Sequence, residues 1–324
     1  MNQSAYIGHD SQLCTVEEVR LVGGKGDGMR LFQLRNSAGL EMTIAADRCA
    51  DIYRLIYKGD NLGYFSPCGY VAPAYYDSDG DGFLKSFTAG FLTTCGLTAV
   101  GSPCIDDGER LPLHGTIGNT PCEHIWWTED DDNLYIHAQI KDARIFKRKL
   151  LLSRTIAVSK NESVFAVTDT VKNYGDTEVP LMLMYHMNMG YPLLSENAVV
   201  KVSSVKVVPR NEHAAKDLDT WNKMLPPTPG FEEQCYYHSF EGAEGSASIY
   251  NPDIRKGLEI CFDPRNLNHF TQWKMMGYRD YVLGLEPGNC HPDGRDVMRS
   301  QGTLQWLQPG EERKFTFRVT MYEK

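Results

Sequence analysis

Two ionisable side chains stand inside apolar, strand-like runs. His186 lies in Tyr185-His186-Met187-Asn188-Met189-Gly190-Tyr191, and Glu286 in Gly284-Leu285-Glu286-Pro287-Gly288-Asn289-Cys290. Each run places its ionisable group on a rigid element, where burial is costly unless the group is paired or used. A histidine and a carboxylate on facing strands supply a general acid and a general base. Burial would raise the carboxyl pKa and make Glu286 a better base near neutral pH. The bland alternatives are a satisfied core histidine and a strand-end glutamate in a salt bridge with Arg295 or Arg48. His186 and Asn188 are two apart and share one strand face, while Met187 and Met189 share the other, toward a core. A polar pair on one face of an apolar strand must be hydrogen-bonded or line a cavity.

Three further segments hold residues suited to a polyol. His114 sits between Leu113 and Gly115 after Pro112, which suggests a loop whose side chain faces a cleft, with a surface loop histidine as the alternative. Trp126 and Trp127 follow and would suit a wall for a pyranose, although Trp is equally at home in a β core. Arg48 and Asp51 come just after the expected strand 41–45; they would bind sugar hydroxyls or pair with each other. Gln272, Trp273 and Lys274 form an aromatic–amide–cation cluster, with a solvated strand edge as the alternative. Arg295, downstream of Glu286, is a substrate or ion-pair candidate.

Two motifs are discounted. Asp77, Asp79 and Asp81 before Gly82 copy the start of a calcium loop, but the twelfth position is Thr88, so an acidic turn is expected. The glycines from Gly23 to Gly28 lack phosphate-loop spacing. Neither a metal nor a cofactor is expected.

The elements that must hold these residues are strands. The segment 133–141 alternates polar and apolar residues, and 163–171 does so cleanly. Further strands are expected over 148–158, 178–184, 198–208, 247–250, 257–262, 281–285, 302–307 and 313–321. Pro180 marks an edge or the start of its strand. Turns recur at the spacing of a β-sandwich, Asn173-Tyr174-Gly175 among them, and 129–132 reads as a hairpin tip. Short helices are expected only near 212–219 and 85–90. With no linker or repeat, the 324 residues read as one continuous all-β domain, 1–324.

A net charge of −9 argues against nucleic acid as a partner, because phosphate contacts need clustered Lys and Arg. No run is long enough to span a membrane, and the polar start lacks a signal-like apolar segment. Nine cysteines, an odd number without Cys-x-x-Cys, suit buried free thiols in a reducing cytoplasm.

In chain order these pieces resemble the galactose mutarotase (aldose 1-epimerase) superfamily. The matching residues are Leu113-His114-Gly115 followed by Trp126, the Asn173–Gly175 turn running through Pro180 to His186 and Tyr191-Pro192-Leu193, and Gly284-Leu285-Glu286-Pro287. The match looks closest to a bacterial aldose-epimerase-like branch, on Arg48 to Ile52, Thr93 to Leu97, Tyr185 to Pro192 and Gly284 to Cys290. The resemblance implies a large, mostly antiparallel β-sandwich of the supersandwich type, with a cleft on a concave sheet face. It implies Glu286 as the base at the anomeric hydroxyl, His186 as the acid at the ring oxygen, and His114 as a ligand to a sugar oxygen.

The chain departs from that pattern at three points. Tyr185 stands where galactose mutarotases usually have Asn. Arg48 lies too early to be the equivalent of the family's sugar-binding Arg. The family's hydroxyl-gathering Asp has no clear counterpart, although His238 lies in the right stretch. The expected partner is therefore a small sugar other than galactose or glucose, with acidic, deoxy and phosphorylated ones as candidates, and a homodimer is an open expectation. The alternatives to an aldose 1-epimerase-like enzyme are a non-catalytic carbohydrate-binding or sensing protein and a sugar lyase or isomerase on the same fold.

Overall fold

The computed structural model describes residues 3–324. Three antiparallel sheets carry the architecture. The first has five strands in sequential order, from Thr15–Arg20 to Asp60–Asn61. The second has eight, running in space from His124–Glu129 through Asn133–Ala143, Lys149–Ser159, Val164–Asn173, Glu312–Glu323, Lys256–Phe262 and Gly245–Asn251 to Val199–Val202. The third has seven. Its spatial order is Lys206–Pro209, Gln234–Ser239, His269–Met276, Tyr281–Gly288, Val179–Met189 and Gln305–Leu307, with Leu92–Leu97 also paired to Val179–Met189.

The alternating segments became strands of the eight-stranded sheet for the expected reason. Leu134, Ile136, Ala138 and Ile140 on one strand, and Leu150, Leu152, Ile156 and Val158 on the next, turn inward while their neighbours face out. The Val179–Met189 strand differs, because both of its faces are covered. Leu181, Leu183, Tyr185, Met187 and Met189 enter the core shared by the three sheets. Met182 and Met184, on the other face, pack with Cys95, Val100, Cys290 and Met298.

Inside that shared core sits a charged knot. Arg154 lies opposite Asp169 in the eight-stranded sheet and donates to both its carboxylate oxygens, at 2.9 and 2.7 Å. The same guanidinium donates to Asp51 Oδ1 (2.8 Å), on the five-stranded sheet, and to Thr94 Oγ1 (2.8 Å), on the strand paired to Val179–Met189. Tyr185 donates its hydroxyl to Asp169 Oδ2 at 2.8 Å. A dry charge is tolerated only when it is paired and hydrogen-bonded, and here that pairing draws on all three sheets.

Several sequence expectations are corrected. The segment 198–208 is not one strand; it pairs in the eight-stranded sheet as Val199–Val202, crosses at 203–205, and pairs in the seven-stranded sheet as Lys206–Pro209. The helix near 85–90 is instead a 3-10 turn at Gly82–Lys85, followed by the short strand Ala89–Gly90. A helix at Arg295–Ser300 went unanticipated. The helical turn at Glu212–Ala215 falls where expected, capped by Asn211 accepting from Ala214 N–H. All nine cysteines are unpaired, and six are buried.

Candidate active site

Two neighbouring strands bring the principal pair together. His186 lies on Val179–Met189 and Glu286 on Tyr281–Gly288, and these strands are hydrogen-bonded neighbours. His186 Nε2 stands 3.3 Å from Glu286 Oε1, with both side chains nearly fully buried. The contact is close enough for an ion pair but is not aligned as a hydrogen bond, and Oε1 has no hydrogen-bond partner among the described residues.

Local sequence explains why Glu286 reaches this place. Positions 284 and 286 share a strand face, and a side chain at 284 would collide with Glu286 Oε1 and crowd Trp273 Cβ. Gly284 therefore leaves room for the carboxyl to lie back over the strand. Leu283 and Leu285, on the other face, anchor that strand in the core.

A cleft of about 260 Å³ opens over the pair. One wall is the seven-stranded sheet, with His186, Glu286, Thr271, Trp273 and Cys235. The other comes from loops carrying Phe83, Leu84, Phe87, Leu113 and His114, and Arg210 and Glu233 stand at its side. Rings surround His186: Phe87 and His114 at 5.4 Å and Trp273 at 5.3 Å between centroids, all edge-on. Trp273 is held by its indole N–H donating to Glu233 Oε2 at 2.7 Å.

His114 is aimed inward by unusual backbone. Its φ is +59° and that of Gly115 is +73°. The turn is tied by His114 N–H to Gly101 O (2.9 Å) and Gly96 N–H to His114 O (3.1 Å). A left-handed histidine is uncommon and persists only where its surroundings fix it. At 115 a Cβ would strike the carbonyls of Gly96 and Ala99, so the His-Gly order is a steric requirement.

Electrostatics follow from burial. Burial lifts the Glu286 carboxyl well above the usual carboxylate range, with Glu233 adding to the rise and Arg210 opposing it. Burial pushes the His186 imidazole down to about 4. His114 is also held well below its ordinary value, by burial first and then by His186 and Arg210. Both shifts favour the uncharged forms, a neutral acid beside a neutral imidazole, which together hold one titratable proton. Such a pair can give and take a proton at two oxygens of an uncharged ligand. Besides Glu286 Oε1, buried His186 Nδ1, His114 Nδ1 and Thr271 Oγ1 lack a hydrogen-bond partner among the described residues, so unsatisfied polar atoms converge on this cleft. Among the described residues no group of three or more His, Cys, Asp or Glu is disposed to hold a metal ion.

Of the residues singled out from sequence, His114, His186, Trp273 and Glu286 line the cleft. The others do not. Arg48 is buried, with its guanidinium donating to the carbonyls of Gly118, Val71 and Ser86. Asp51 is in the Arg154 knot rather than paired with Arg48. Asn188 Nδ2 donates to His186 O at 3.0 Å. Gln272 donates to Trp221 O and meets His238 Nε2 at 3.2 Å, while His238 Nδ1 meets Ser204 Oγ. Lys274 is buried on the same side of its strand as Gln272, and burial lowers its ammonium pKa. Arg295 binds Asp106 and Glu109 rather than Glu286.

Trp126 and Trp127 stand half-exposed on the edge strand His124–Glu129, so Trp273 takes the place expected for them. Sequence reasoning missed Phe83, Phe87, Arg210, Glu233 and Thr271. Thr271 had a usable signal, since it shares a strand face with Trp273; the others lie in loops and turns without periodicity.

The family described as domain of unknown function (DUF4432) matches residues 26–321. No curated protein matches the sequence. Among solved structures, a provisional aldose 1-epimerase from Klebsiella pneumoniae is 27% identical, with a TM-score of 0.90 over 96% of this chain and 84% of that one. A galactose mutarotase-like protein from Clostridium acetobutylicum is 15% identical, with a TM-score of 0.67 over 97% of this chain and 100% of its own. A galactose 1-epimerase from Lactobacillus acidophilus is 13% identical, with a TM-score of 0.63 over 95% of this chain and 99% of its own. The fold is that of the galactose mutarotase-like sandwich.

Proposed function

The chain belongs to the DUF4432 family, and from that premise we propose that it is an aldose 1-epimerase-like enzyme that interconverts the anomers of a sugar by acid–base ring opening. The observation that carries this reading is the 3.3 Å approach of His186 Nε2 to Glu286 Oε1 in a cleft of about 260 Å³.

In the ring-opening direction Glu286, as carboxylate, takes the proton of the anomeric hydroxyl while His186, as imidazolium, gives its proton to the ring oxygen. The bond between C1 and the ring oxygen breaks as the C1 carbonyl forms. Rotation about C1–C2 turns the other aldehyde face to the ring hydroxyl, and closure with the proton transfers reversed gives the other anomer. No proton is gained or lost overall, so the single titratable proton of the pair is enough. That proton moves from Glu286 to His186 when the ligand's hydroxyl approaches the carboxyl. His114 and Thr271 orient sugar oxygens, and Trp273 offers its ring to a C–H face. Buried thiols are consistent with work in a reducing cytoplasm.

The test is saturation-transfer NMR of anomer exchange across a panel of aldoses, with Glu286→Gln and His186→Ala beside the wild type. Exchange above the spontaneous rate, falling about 10²–10⁴-fold in each variant, is the expected result. Exchange undiminished in both variants would sink the assigned pair. Binding without exchange for every sugar would indicate a sensing protein instead.

A further inference from the structure

We propose that the cleft takes a neutral 6-deoxyaldose, a pyranose with a methyl group on C5, an inference that rests on the acid–base reading above.

The argument begins with where C6 must go. The ring oxygen and C6 are both bonded to C5, so the group that protonates the ring oxygen lies beside the C5 substituent. That group is His186, and its surroundings are rings: Phe87, His114 and Trp273 within 5.4 Å between centroids. Behind Phe87 lies Phe83, at 4.9 Å, and Leu113 packs against the cluster they form with Ala89. Of the buried polar atoms without a hydrogen-bond partner, Thr271 Oγ1 and Glu286 Oε1 belong to the sheet wall, and His114 Nδ1, which orients a sugar oxygen in the reading above, is on the loop wall beside Phe83. A C6 hydroxyl directed at the phenylalanines would lose its water and gain no partner. A methyl group there would bury apolar surface against apolar surface.

Charge points the same way. Arg210 is the one Lys or Arg side chain among the described lining residues, and it comes with a counter-ion. Its Nε donates to Asp293 Oδ1 at 3.0 Å, and the same carboxylate oxygen accepts from Tyr237 Oη at 2.6 Å. The Arg210 guanidinium also donates to Ser102 Oγ and Pro292 O, both at 3.3 Å. Glu233 adds a further carboxyl group to the cleft, beside the Asp293 partner of Arg210. A phosphorylated or acidic sugar would meet more negative than positive charge, without the desolvated, unpaired cation that such a ligand needs.

The experiment measures binding by ligand-observed NMR titration, and anomer exchange in the same samples. The panel pairs fucose with galactose, rhamnose with mannose and 6-deoxyglucose with glucose, and adds arabinose, galacturonate and glucose 6-phosphate. We expect at least one 6-deoxy sugar to bind about tenfold to hundredfold more tightly than its 6-hydroxy parent. Its methyl protons should receive the strongest saturation from the protein, and both anionic sugars should bind more weakly than any neutral hexose.

Two variants sharpen the test. Leu84→Ser, at a side chain 54% exposed and so safe for folding, should narrow the 6-deoxy preference. Asp293→Asn, by releasing Arg210, should raise galacturonate affinity relative to wild type. A parent hexose, arabinose or an anionic sugar binding as tightly as every 6-deoxy partner overturns the proposal, even if exchange is seen. Preferential 6-deoxy binding with no exchange supports the methyl subsite and removes the acid–base reading. Absence of binding by every sugar overturns both.

Discussion

In the proposed mechanism His186 and Glu286 share one proton in a site that penalises charge on either, and this would set a pH profile. Burial pushes His186 down to about 4 and Glu286 up. Below about pH 4 the imidazole takes a second proton and the pair loses its base. Above the raised Glu286 pKa the pair loses its only proton and with it the acid. Exchange corrected for the spontaneous rate should therefore fall as pH drops through about 4 and fall again as pH rises through the raised Glu286 pKa. An acid limb near the ordinary histidine value of ~6.5 would mean a solvated His186. The two limbs belong to the pair rather than to either residue. The same scale shows what sequence could reveal. A glutamate and a histidine inside apolar runs were legible because burial makes such residues costly. Arg210 and Glu233 were not, because a charged residue in a turn looks the same whether it faces solvent or a cleft.

Strands decide which residues act together. Gln272, Trp273 and Lys274 are adjacent in sequence, yet alternation sends Trp273 into the cleft and its neighbours to the other face. Alternation also pairs Gly284 with Glu286. Gly284→Ala should leave the fold intact but push the carboxyl off its seat, lowering kcat about 10- to 100-fold with a smaller change in KM; steady-state exchange kinetics check this, and an unchanged kcat would show that the carboxyl can rotate away freely. Beneath the same strands, the Arg154–Asp169 pair ties the strand of His186 to the eight-stranded sheet through Tyr185. Asp169→Asn would leave Arg154 with reduced compensation in a dry core. The expected loss is about 3–5 kcal/mol of stability, read as a lower urea midpoint; a shift under 1 kcal/mol would mean that Asp51 alone suffices. Tyr185 is where the sequence departs from the galactose mutarotase pattern, and its hydroxyl is spent on this knot.

At the scale of the molecule, one apolar cluster runs through all three sheets and backs the sheet wall of the cleft, while Phe83 and Phe87 of the loop wall form a separate cluster. Thiol accessibility reports on that core. Six cysteines are buried, and Cys14, Cys68 and Cys104 are partly exposed. Ellman titration of the native protein should find those three reacting first and the remaining six only after denaturation. Rapid reaction of all nine would contradict the packing. Among the described residues no helix is long and apolar enough to cross a membrane.

The sequence alone determined the fold class and most of the strand positions, and it singled out the buried His186 and Glu286. Periodicity of two and the expense of burying an ionisable group act locally and leave a trace in residue order. Tertiary structure alone decided the rest: which loops close the second wall, that Arg210 comes neutralised by Asp293, and that Arg48, Asp51 and Arg295 are committed elsewhere. Those outcomes depend on partners 23 to 197 residues away along the chain. A charged side chain carries no local record of which distant carbonyl or carboxylate will satisfy it.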